Sequence, residues 1–121
     1  MQSREEFYWR ATLFREIKGF SPDRKVILFI VPKPLDGLEV RLDKSGIPKR
    51  ETGEIEEDYK KRSLKYFQRS TAPIRKYLAE SRIEFDQTDG IVMALPESRQ
   101  VHELANQPFI ERIVTKKALR I

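Results

Sequence analysis

The feature that most constrains this chain is the run Lys25-Val26-Ile27-Leu28-Phe29-Ile30-Val31, closed by Pro32 and Pro34. Successive β-branched, aromatic and aliphatic side chains between the Ser21-Pro22-Asp23 turn and the two prolines predict a strand over residues 25–31. Its unbroken apolar character places it centrally in a sheet and requires a cover on at least one side. Pro32 and Pro34 end its regular pairing, because proline has no N–H to give to a ladder. With 121 residues the chain has the size of one domain and can bury about two-thirds of the surface its unfolded form exposes. That suffices for one core without disulfides or metal.

Other elements follow from periodicity. Ser3-Arg4-Glu5-Glu6 has the form of a capping box, and Phe7, Ala11, Phe14 and Ile17 follow at helical spacing, so a helix is expected over residues 4–18. A strand is the rival, since Phe7, Trp9, Ala11 and Leu13 alternate. Phe7, Tyr8 and Trp9 cannot all face one side of either element; an exposed member of the three is a candidate partner contact, unless the core wraps the segment. Residues 35–58 are the least core-like: Leu38, Val40 and Leu42 suggest a short edge strand or arm, and poor order is expected over about 43–56. A helical pattern begins at Glu54. Pro73 suggests that one helix ends near Arg69 and another restarts at Ala72, capped by Ser70 or Thr71; a kinked continuous helix is the alternative. Strands over Ile83–Gln87 and Ile91–Leu95 flank Thr88-Asp89-Gly90 and predict a hairpin. A short helix from Pro96 to Asn106, a strand over Phe109–Thr115 and a basic, apolar tail from Lys116 to Ile121 complete the chain.

Composition removes most enzyme classes. There is no cysteine, hence no thiol nucleophile, disulfide framework or Cys-ligated zinc, and His102 is the one histidine, expected on a solvated surface. The five glycines are scattered singly, so no phosphate-binding loop can be assembled, and the carboxylates of Glu51–Asp58 run straight into Lys60-Lys61-Arg62 as a solvated charge block. The expectation is a non-enzyme without cofactor or metal. Lys and Arg number 24 against 19 Asp and Glu, a net charge of +5 that permits an acidic partner without naming one. No signal peptide or membrane-spanning run is visible, so a cytoplasmic, membrane-free protein is the default expectation.

Setting aside residues 1–22 as a helical extension and 35–58 as an insertion leaves strand, helix, strand, strand, helix, strand within a core of residues 25–121. This order predicts an α+β, ferredoxin-like βαββαβ fold: an antiparallel four-stranded sheet with two helices on one face, plus the N-terminal helix. Residues 25–34 and 70–121 resemble the prodomains of subtilisin-type serine proteases and the free-standing inhibitors related to them. The resemblance lies in the first strand, in Asp89-Gly90-Ile91-Val92-Met93-Ala94-Leu95-Pro96, in Glu103-Leu104-Ala105-Asn106-Gln107-Pro108, and in the strand Phe109-Ile110-Glu111-Arg112-Ile113. The N-terminal helix, the 35–58 insertion and the non-acidic tail depart from that pattern.

The resemblance implies a domain that inhibits, or assists folding of, a subtilisin-like serine protease, in cis or in trans. Its sheet face would lie on paired helices of the enzyme, and its tail would occupy the active-site cleft as a product-like strand. That tail is Lys117, Ala118, Leu119, Arg120 and Ile121, with Ile121 nearest the catalytic serine. Asp86 and Asp89 would meet the N-termini of the protease helices; ordinary turn chemistry is the plainer account of both. Two other readings compete. A nucleic-acid-binding domain would use the basic residues of 60–76, but the strands lack the aromatic pattern of RNA-binding modules. A regulatory or scaffold domain would dock through the helix that carries Trp9.

Overall fold

The computed structural model describes residues 4–35, 41–43 and 47–115. Helix α1 (Arg4–Ile17) precedes strand β1 (Leu28–Pro32), and a long helix α2 (Glu56–Glu80) leads to β2 (Phe85–Thr88) and β3 (Ile91–Ala94). A 3₁₀ turn over Ser98–Gln100 runs into the short helix α3 (Val101–Ala105), and β4 (Ile110–Thr115) follows. The architecture is α+β. Every pair in the sheet is antiparallel and the order is β2-β3-β1-β4, which is compatible with a ferredoxin-like fold.

The apolar run lies in the middle of the sheet, between β3 and β4. Leu28 stands opposite Ala94 and Thr115, and Ile30 opposite Val92 and Ile113. These side chains form the inner face, on which Leu13 and Ile17 of α1, Ile74 and Leu78 of α2, and Val101, Leu104 and Ala105 of α3 close the core. Each fully buried Leu or Ile contributes about 1.5–3 kcal/mol relative to an exposed one. Regular pairing begins three residues later than expected: Lys25 makes an isolated bridge to Glu97, and Ile27 is exposed. At the other end the register shifts between Val31 and Pro32, so the proline sits at a bulge where a missing donor is tolerated.

Helix α2 is continuous through Pro73, contrary to the expected break near residues 69–72. Side chains reinforce the turn before the proline. The Ser70 and Thr71 hydroxyls donate to the Phe67 carbonyl, and Arg75 donates to the Gln68 carbonyl and to Thr71 Oγ1. Thr71 and Ile74 on either side of Pro73 are fully buried, so packing holds the helix across a residue that removes one backbone bond. Its end is a Schellman motif: Ile83 N–H donates to Leu78 O and Arg82 N–H to Ala79 O, with Arg82 left-handed at φ 57°.

The loop before α2 is tied down where order was expected to be poor. Tyr59 Oη donates to Pro48 O at 2.8 Å, and Arg62 reaches Lys49 O at 2.6 Å. Arg62 also binds both oxygens of Glu54, at 2.8 and 2.9 Å, and Glu54 accepts from Glu51 N–H. The guanidinium holds the Glu54 carboxyl down at about 2. Leu42 bridges Pro48 as part of a narrow arm; Leu38 and Val40 of the expected edge strand lie outside the described residues.

Candidate binding cleft

Helix α2 has 25 residues, about 37 Å at 1.5 Å per residue. The strands it covers have four to six residues, roughly 14–20 Å. Its C-terminal half lies on the inner face of the sheet, and its N-terminal half overhangs. The overhang, the arm that carries Ile47, and the outer face of the sheet enclose a cleft of about 1030 Å³.

Sheet register supplies one wall. Asp86 stands opposite Met93, Met93 opposite Phe29, and Phe29 opposite Val114, as one row across all four strands. In the next row Thr88 faces Ile91, and Val31 faces Arg112. Phe29, Val31, Ile91 and Met93 line the cleft, with Asp86 and Thr88 at the β2 edge and Arg112 at the β4 edge. The second wall is the overhang: Tyr59, Ser63, Leu64 and Phe67 face the cleft, and Leu64 is 54% exposed. The Phe67 ring closes the corner between the walls. A Cβ on Gly90 would lie 2.8 Å from that ring, so glycine is needed there for close approach. The left-handed turn position is taken by Asp89 instead, at φ 53°.

Polar groups in the cleft include Lys60, Ser63, Asp86, Asp89 and Arg112. Ser63 is 9% exposed and its Oγ has no hydrogen-bond partner among the described residues, whereas a helical serine ordinarily reaches back to a carbonyl four residues earlier. Leaving such a hydroxyl unpaired costs about 1–3 kcal/mol. Arg112 makes no ion pair among the described residues. Asp86 Oδ1 accepts from Gln87 N–H and makes no ion pair among the described residues, and the Asp89 carbonyl accepts from the Gln87 side chain. The outer face therefore has an acidic edge, an apolar middle and a basic edge.

Asp86 and Asp89, two of the expected contact residues, both line this cleft. Lys117, Ala118, Leu119, Arg120 and Ile121 lie outside the described residues. The aromatic triplet is divided: Phe7 and Tyr8 are about 60% exposed, while Trp9 is half-buried against the core beneath the Arg10 guanidinium. Arg10 in turn donates to Asn106 Oδ1 and Ala105 O, fastening α1 to the end of α3. His102 is exposed, as expected, yet its ring stacks on Phe14 with centroids 4.2 Å apart. Ser63, Leu64, Phe67 and Arg112 were not singled out from the sequence as contact residues. For Ser63, Leu64 and Phe67 a signal existed in the helical run from Glu54, which continues past the length needed to cover short strands; Arg112, on β4, had none.

Among the described residues no cluster of His, Cys, Asp or Glu is arranged to hold a metal, and no helix is long and apolar enough to cross a membrane. Comparisons with protein-family models, with curated proteins and with solved structures found no match to this chain.

Proposed function

We propose that this chain is a ferredoxin-like protein-binding module of the subtilisin-prodomain type, which presents the outer face of its sheet to a subtilisin-like serine protease. The observation that carries the reading is that outer face: the helices pack on the inner side, so Phe29, Val31, Ile91 and Met93 are left on an accessible apolar surface. Strand order β2-β3-β1-β4 supports the fold assignment, and β4 runs directly in sequence into Lys116–Ile121, the proposed product-like tail. In this reading Asp86 and Asp89 meet positive ends of helices on the enzyme. Charge and ring content speak against a nucleic-acid surface. Among the described residues lining the cleft the cations Lys60 and Arg112 are matched by the acids Asp86 and Asp89, and the sheet strands offer one stacking ring, Phe29.

The test is slow-binding inhibition of a panel of subtilisin-type proteases by the intact chain and by a chain lacking residues 116–121. Inhibition that disappears with the tail supports the mechanism. Absence of inhibition by both forms, with no acceleration of protease refolding, overturns it.

A further inference from the structure

We infer that the cleft between the α2 overhang and the outer face of the sheet takes an extended peptide segment of a partner chain, apolar through its middle, with a basic residue at one end and an acidic residue at the other. The inference rests on the protein-binding reading above but not on the identity of the enzyme, and it pairs Asp86 with a basic side chain in place of a helix end.

Four features converge. The walls are apolar, with Phe29, Met93 and Ile91 on the sheet and Leu64 and Phe67 on the helix. Ser63 places an unpaired, buried hydroxyl on the helical wall, where a peptide N–H or carbonyl would satisfy it. Asp86 lies at one edge of the face and Arg112 at the other, neither neutralised by an ion pair among the described residues. Finally, the two charges stand on the outermost strands of the four. Three strand spacings of about 4.8 Å, offset by two residues along the strand, put their Cα atoms roughly 16 Å apart. An extended chain at about 3.3 Å per residue presents side chains on one side at every second residue, so charges four residues apart, about 13 Å, come within side-chain reach of both.

The chemistry then narrows. A purely apolar ligand would leave Ser63, Asp86 and Arg112 unpaired, and a singly charged amphiphile would leave one of the two edge charges unmatched. A peptide carries the amides for Ser63 and can carry both charges at the required separation.

Three fluorescein-labelled, end-blocked peptides test this by fluorescence polarisation at low salt: Lys-Leu-Ala-Leu-Glu, whose two charges fall on one side of an extended chain, and the same core with Lys at both ends or Glu at both ends. The mixed probe should bind about tenfold more tightly than either like-charged probe. In the Arg112→Glu variant the ranking should invert in favour of the doubly Lys-ended probe. Arg112 is exposed, so that change leaves the fold intact. Ser63→Ala should weaken all three probes a few-fold without altering their order. Equal binding of the three probes, no binding of any, or a ranking unmoved by Arg112→Glu would overturn the inference. A chain that inhibits no subtilisin yet ranks the probes as stated loses the protease reading alone. One that inhibits but ignores the probes loses this inference alone.

Discussion

The two faces of one sheet are made from the same few strands and have opposite fates. On the inner face Leu28, Ile30, Val92 and Ala94 are all fully buried under three helices. On the outer face their immediate neighbours Phe29, Val31, Met93 and Ile91 remain in reach of solvent, half enclosed by the overhang of α2. An alternating strand would have been the economical design for a sheet covered on one side. β1 is apolar on both faces, and its outer residues Phe29 and Val31 line the cleft instead of the core.

Mutation separates the faces. Ile30→Ala removes a fully buried side chain and should lower stability by about 2–5 kcal/mol in urea denaturation. Met93→Gln on the outer face should cost about 1 kcal/mol or less, because its environment is already half solvent. Binding should show the reverse order, with the mixed-charge peptide weakened by Met93→Gln and unaffected by Ile30→Ala at temperatures where that variant is folded. Equal stability losses would mean that the outer face is a second core.

Gly90 probes the corner where the faces meet. Gly90→Ala drives a methyl into the Phe67 ring and should cost about 1–3 kcal/mol. Adding Phe67→Leu should recover part of that loss, a coupling that a double-mutant cycle measures directly. If the two losses simply add, the close approach is not what requires glycine.

How far the sequence anticipated this molecule differs between the same regions. The hairpin and the N-terminal helix were legible from local turn chemistry and periodicity, and the central and last strands from short apolar, β-branched runs bounded by turn residues. Pro73 misled, since a local rule predicts a break that the burial of Thr71 and Ile74 overrides. The Gly90 turn was found, but its reason was not, because the Phe67 ring arrives from a helix more than twenty residues away. The cleft was hidden for a related reason. Asp86 and Asp89 could be named from the hairpin, whereas Ser63, Leu64 and Arg112 become neighbours of that hairpin only after the sheet is ordered and the helix laid across it.

Smaller effects come from the ends of α2. Arg82 is exposed and holds a left-handed conformation that costs a side-chain-bearing residue about 1 kcal/mol. Arg82→Gly should therefore raise the unfolding free energy read from urea titration by about 0.5–1 kcal/mol, with no change in peptide binding. A destabilisation would show that the Arg82 side chain makes a contribution larger than the backbone strain.

The start of the helix gives the last and most local test. Arg62 holds the Glu54 carboxyl at about 2, below its ordinary 4.5. A folded-state value below the unfolded one means the unfolded chain binds the proton more readily. The contribution of this pair is therefore complete above about pH 5 and declines as the pH falls through the unfolded value toward 2. Because Arg62 also binds Lys49 O, protonation of Glu54 should loosen the arm that forms one wall of the cleft. Hydrogen exchange at Glu51 and Glu54, compared at pH 5.5 and pH 3, should show protection falling about tenfold more than at amides of the sheet, after correction for intrinsic rates. Glu54→Gln should lack this added pH dependence. Parallel behaviour of the arm and the sheet would mean that the arm is held by Tyr59 and Pro48 rather than by charge, and the cleft would then keep its shape in acid.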